Sequence, residues 1–344
     1  MLVRSKSAKK IDDFYKTLYA KLLRLLRLQA IVCPFSDAHR NESMVAPSNP
    51  EQLRDSYEVF AHSVSFKTFE NIRHAELLNL ADRMVADDPS AVKPIERREV
   101  LESDPDVWFD RIRVSVKPLV FEGELEGLKD WRQRTHEGIS EAFQNVWKMQ
   151  PERPWKYWRD LMAKGWMRSF INGYQQQMRR VQEIRDGLRQ PQSLDDFIQP
   201  PVIGVFAELF AKFRAHSGSQ EEAGKRVGEF LTSDEILYLP FLQIQSALYA
   251  TIAKKAATQL KLPTQGFAMD VSVMSCLLPY CEAMFMDREI AGLWKDIQAS
   301  PLRRLPYEAK VFSMVSKSDF LSYLEDLEQA VPEEQRRYSE QILG

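Results

Sequence analysis

Two aspartates stand near the ends of one stretch, Met269 to Asp287, which reads MDVSVMSCLLPYCEAMFMD. Asp270 opens a short apolar run at helical spacing, Val273, Met274, Leu277 and Leu278. Pro279 stops it, Ala283 to Met286 read as a buried strand, and Asp287 follows. A third carboxylate, Glu42, has a similar setting upstream. Ala30-Ile31-Val32-Cys33 reads as a buried strand ended by Pro34, and Ser36 or Asp37 caps a helix that carries Glu42 in its early turns. In open α/β folds, ligand sites collect at the carboxyl ends of strands and at helix N-termini, where these side chains would lie. Asp is also a common N-cap, so plain capping is the competing reading. Asp37 and His39 are secondary candidates beside the same strand end, with a helix cap and a surface hydrogen bond as their ordinary roles.

The elements that must position these groups follow from periodicity. Ile11, Phe14, Tyr15, Leu18, Leu22, Leu25 and Leu26 predict an amphipathic helix over about residues 10–28, with Lys16, Lys21, Arg24 and Arg27 on its other faces. Those charges are either a solvated surface or a phosphate-facing strip. Residues 50–86 are helical in pattern with a break near His62, and Arg111 to Val116 alternate as a half-exposed strand. From Gly123 to Lys261 nearly everything is helical in pattern, with breaks at Pro151 to Pro154, Gln190-Pro191, Pro200-Pro201 and His216 to Ser219. Several aromatics there adjoin arginines, as in Trp131-Arg132-Gln133-Arg134 and Trp158-Arg159. Such mixtures serve single-strand nucleic-acid binding, although aromatics at helical spacing more commonly fill a core. Near the C-terminus Ala291, Leu293 and Trp294 continue a helix from Asp287, Lys310 to Val315 read as a strand, and Phe320, Tyr323, Leu324 and Leu327 as a helix.

The 344 residues suffice for one large core or two. A net charge of -2 from 47 basic and 49 acidic residues argues against nucleic-acid binding through a global basic field, while local basic faces stay possible. Cys33, Cys276 and Cys281 match no zinc spacing and no paired framework, so they read as buried free thiols in a reducing, cytoplasmic setting. No apolar run is long enough to cross a bilayer, and the basic N-terminus, interrupted by Asp12 and Asp13, reads as part of the folded domain. His62, His74, His136 and His216 form no ligand spacing, and no P-loop, dinucleotide fingerprint or nucleophile elbow is present.

The segment Asp270 to Asp287 resembles the end of a PIN-like nuclease domain, in which an Asp begins a helix, a strand follows, and a second Asp ends that strand. Ile31 to Glu42 resembles the strand and helix that supply a further acidic residue in that fold, here Glu42. The match covers about a third of the chain. It implies an α/β fold: a PIN-like parallel sheet flanked by helices, formed by residues 1–90 and 262–344, with a mostly α-helical insertion at 91–261. It also implies that Glu42, Asp270 and Asp287 converge on Mg²⁺ or Mn²⁺ in a metal-dependent nuclease, an RNA-cleaving one, with the helical insertion shaping substrate access or holding a protein partner. Hard divalent cations take oxygen ligands, and clustered carboxylates repel one another without a cation. The sequence departs from the pattern at its start, where only Leu2-Val3 precede the basic residues and first helix, so the family's first Asp has no counterpart. A catalytically inactive PIN-like scaffold that binds nucleic acid or protein is the alternative; a purely structural helical protein, the third reading, predicts the three carboxylates far apart.

Overall fold

The computed structural model describes residues 13–45, 50–61, 64–103, 122–190, 201–256, 258 and 262–343. It corrects the α/β expectation: 74% of it is helical, with 13 helices and 4% strand. The helices are α1 (Asp13–Arg27), α2 (Asp37–Val45), α3 (Pro50–Ala61), α4 (Phe69–Val85), α5 (Glu122–Glu141), α6 (Trp155–Arg185), α7 (Pro201–Ala215), α8 (Gln220–Thr232), α9 (Pro240–Lys255), α10 (Phe267–Leu277), α11 (Arg288–Gln298), α12 (Lys317–Ala330) and α13 (Glu333–Leu343). Among the described residues the only sheet pairs β1 (Ala283–Phe285) in parallel with β2 (Lys310–Phe312), joined through α11. A PIN-like parallel sheet is therefore not what organises this chain.

The expected strand at Ala30 to Cys33 does not form. The run is short, Pro34 removes a donor at its end, and the segment makes only an isolated parallel bridge from Phe35 to Ser65. The strand expected at Arg111 to Val116 lies outside the described residues, as do His62 and Ser63 of the expected break, whose other residues, Val64 and Ser65, lie between α3 and α4. The segment entering Ile31 leaves α1 through a Schellman turn: the Ala30 N–H bonds the Leu25 carbonyl and the Gln29 N–H bonds the Leu26 carbonyl, both at 2.9 Å. Gln29 takes the left-handed position, with φ 53°. A side chain there is strained, so Gln29→Gly should raise stability by about 0.5–1 kcal/mol in urea unfolding.

α9 is the axis of the fold. Phe241, Leu242, Ile244, Ala247, Leu248, Ala250, Ile252 and Ala253 leave it apolar all round, the pattern of a fully buried helix. One end enters a cluster with Ile72 and Leu77 of α4, Leu209 of α7, Phe230 of α8 and Leu277 of α10. The rest enters a second cluster with Trp158 of α6, Phe267 and Val271 of α10, and Ile290, Leu293, Trp294 and Ile297 of α11. The first cluster combines residues of the 91–261 stretch with residues on both sides of it, and the second combines that stretch with residues that follow it. The middle of the chain and the ends that carry the acidic residues thus share cores. Phe143 and Trp147 reach the second cluster from a π-helical turn, Ala142–Trp147, that continues α5.

A third cluster packs Phe14, Leu18 and Leu25 of α1 on Phe312 of β2 and on Phe320 and Leu324 of α12. Lys21 and Arg24 pair with Glu325 and Glu328 of α12 at 3.5 and 2.7 Å. That part of the basic face of α1 is turned to a neighbouring helix rather than left for phosphate. No helix among the described residues is long and apolar enough to cross a membrane.

Candidate functional site: an acidic pocket

Asp287 follows β1 and occupies the N-cap position of α11, yet its side chain makes no capping hydrogen bond. Asp270 lies in the first turn of α10, whose N-cap is Gly266 rather than Asp270. Neither aspartate performs the capping role that would make its presence ordinary. Among the described residues, no hydrogen bond or ion pair engages either carboxylate. Glu42 projects from α2, where the Tyr57 hydroxyl on α3 donates to its Oε2 at 3.0 Å.

These three carboxylates line one open pocket of about 200 Å³, together with Arg132 of α5 and Gln265, Gly266 and Met269 at the start of α10. Its electrostatics follow from crowding. Burial, then the negative charges of Asp287, Glu42 and Glu289, push the Asp270 carboxyl up from the ordinary 3.8 to about 7. No group of three or more His, Cys, Asp or Glu side chains among the described residues stands close enough to hold a metal ion directly. The residues that could hold a divalent cation here are the carboxylates lining the pocket, since such ions take oxygen ligands and keep several waters.

The secondary candidates do not line this pocket and are engaged elsewhere. The Asp37 Oδ2 accepts the Phe69 N–H at 2.9 Å, so Asp37 reaches across from α2 to cap α4. Asp37→Ala should cost about 1–2 kcal/mol in urea unfolding and leave Mn²⁺ binding by calorimetry unchanged. His39 has its Nδ1 against Ser36, 3.1 Å from the backbone nitrogen and 3.2 Å from Oγ, and its ring lies 4.5 Å from that of Tyr57. Burial lowers it to about 4, which keeps the imidazole neutral at physiological pH.

Tyr57 and Arg132 join the site without having been candidates. Arg132 carried a signal, its place in the aromatic and arginine mixture Trp131-Arg132-Gln133-Arg134, and the structure separates this mixture from Trp158-Arg159: Trp131 is 43% exposed and Trp158 1%. Tyr57 carried none, because its contact with Glu42 is purely tertiary. No protein-family model matches the chain, and no curated protein or solved structure matches it. The PIN-like resemblance is overturned: the structure is largely helical with only two short parallel strands among the described residues, and no comparison supports that fold.

Proposed function

We propose that this protein is a divalent-cation-dependent phosphodiesterase acting on nucleic acid, with single-stranded RNA the substrate to assay first. The observation that carries this reading is the meeting of Glu42, Asp270 and Asp287 from separate elements in one pocket, with neither aspartate used as a helix cap. Such mutual repulsion is costly to a fold unless a cation relieves it. Asp270 and Asp287 would hold Mg²⁺ or Mn²⁺, with Glu42 contributing the oxygen that Tyr57 does not occupy. When bound, the ion lowers the pKa of a coordinated water and offsets charge developing on phosphate oxygens. Asp270 must lose its proton before it can serve, and burial, together with the neighbouring carboxylates, retains that proton up to about pH 7. Free thiols at Cys33, Cys276 and Cys281 support a reducing, cytoplasmic setting.

The purified chain should cleave a labelled single-stranded oligoribonucleotide with Mn²⁺ or Mg²⁺, and Asp270→Asn or Asp287→Asn should abolish the cleavage. Equal cleavage by both variants would sink the reading. A second reading, a catalytically silent binding module, is favoured by the lack of a direct three-ligand set among the described residues. It predicts that the oligonucleotide is bound and left intact at every cation concentration.

A further inference from the structure

Arg132 is the one cation among the described residues that line the acidic pocket. Three carboxylates share that pocket, yet Arg132 forms no ion pair with a described residue. The sequence also denies it a partner along its own helix. The positions three and four residues away are Leu128, Lys129, Thr135 and His136, none of them acidic. Two residues on, Arg134 pairs with Asp130 at 3.1 Å. A guanidinium beside concentrated negative charge and without a described ion-pair partner suits an anion arriving from outside. Its planar fork matches two oxygens of a phosphate.

We infer that Arg132 is the phosphate-gripping residue of the pocket, and that α5 thereby supplies the substrate side of a site whose cation side is Glu42, Asp270 and Asp287. This rests on the phosphodiesterase reading for its substrate class. The division makes physical sense, because a phosphodiester approaching a negative pocket is repelled unless a fixed cation at the rim offsets the repulsion. Trp131, exposed on the same helix, adds an aromatic surface of the kind on which single-stranded bases stack.

The two sides respond oppositely to one substitution. Arg132→Ala in the full chain should weaken binding of a fluorescein-labelled single-stranded oligoribonucleotide, read by anisotropy in EDTA, by about tenfold or more. It should also flatten the salt dependence of log affinity by about 0.7, the share of one phosphate contact on a single strand. Mn²⁺ binding, measured by calorimetry, should stay the same or tighten, because a positive charge has been removed. Arg132→Lys should recover part of the oligonucleotide affinity, since a point charge replaces a fork. Unchanged affinity and salt slope in Arg132→Ala would overturn the inference, as would loss of Mn²⁺ binding in a variant with an unaltered circular dichroism spectrum. If affinity depends on Arg132 while Asp270→Asn cleaves like the parent, the phosphate grip survives and the cation reading fails. The two are thus tested separately.

Discussion

At about pH 8, Asp270→Asn is expected to abolish the rise in melting temperature that Mn²⁺ produces, and at the same time to raise the melting temperature in EDTA. The two effects have one cause. Burial and the charges of Asp287 and Glu42 lift the Asp270 carboxyl from 3.8 to about 7 in the folded protein. The folded state therefore retains a proton that the unfolded chain releases, and stability from this group is fully present below about pH 4. It is lost as pH rises toward 7. Asn carries no such charge, so the gap between variant and parent in EDTA should open across that window and stay constant above it. Cation and proton compete for the same oxygens, so apparent Mn²⁺ affinity should fall about tenfold for each pH unit below 7 in the parent. Thermal melts at a series of pH values, with EDTA and with Mn²⁺, measure both. A Mn²⁺ shift of equal size in parent and variant at every pH would remove Asp270 from the cation site.

How much of this was legible in the sequence depends on whether the deciding interaction is local. Ala291, Leu293 and Trp294 predict α11 as a continuation from Asp287, and the structure buries Leu293 and Trp294 on it; Pro279 predicts where the preceding helix yields. Both short strands lie where apolar runs near Ala283 and Lys310 place them. By contrast, Ile31 to Cys33 has the composition of a strand, but a strand exists only where a partner supplies its ladder, and only Phe35 finds one. The end of α1 was opaque for a different reason, since Gln29 holds a left-handed position usually announced by Gly. The larger error, a PIN-like sheet, came from reading a helix, a strand and two aspartates in order as a whole fold. One βαβ unit satisfies the same local pattern inside a largely helical protein. Asp270 and Asp287 were recognisable because each sits at an element boundary, and Glu42 because it lies on the short helix that follows Pro34. Tyr57 was not, because nothing in α3 alone indicates that its hydroxyl meets Glu42.

Glu76→Ala should be the most destabilising single substitution considered, at about 3–5 kcal/mol, or roughly 5–10 °C in melting temperature. Glu76 is 3% exposed, and its two oxygens accept from different parts of the fold: Oε2 from the Phe241 N–H in the first turn of α9, and Oε1 from the Tyr280 hydroxyl, both at 2.8 Å. Ala would leave both donors buried without partners and open a cavity between α4, α9 and the end of α10. Glu76→Gln keeps the volume but turns an NH₂ toward one of the two donors, so it should cost less, about 1–2 kcal/mol. Burial outweighs those two hydrogen bonds and the nearby Arg73 charge, and raises the Glu76 carboxyl from 4.5 to about 8. By the same sign as at Asp270, its contribution is present below about pH 4.5 and declines as pH rises toward 8, and Gln should flatten that decline. Urea unfolding at about pH 5 and pH 8 separates the two substitutions. The consequence reaches the pocket, because Tyr280 stands in the short connection from α10 to β1, between Asp270 and Asp287. In a protein saturated with Mn²⁺, Glu76→Ala should therefore weaken cation binding through the relative placement of the two aspartates, even at temperatures where the variant remains folded. Calorimetric titration of Mn²⁺ giving parental affinity in Glu76→Ala would show that this connection is held without Glu76.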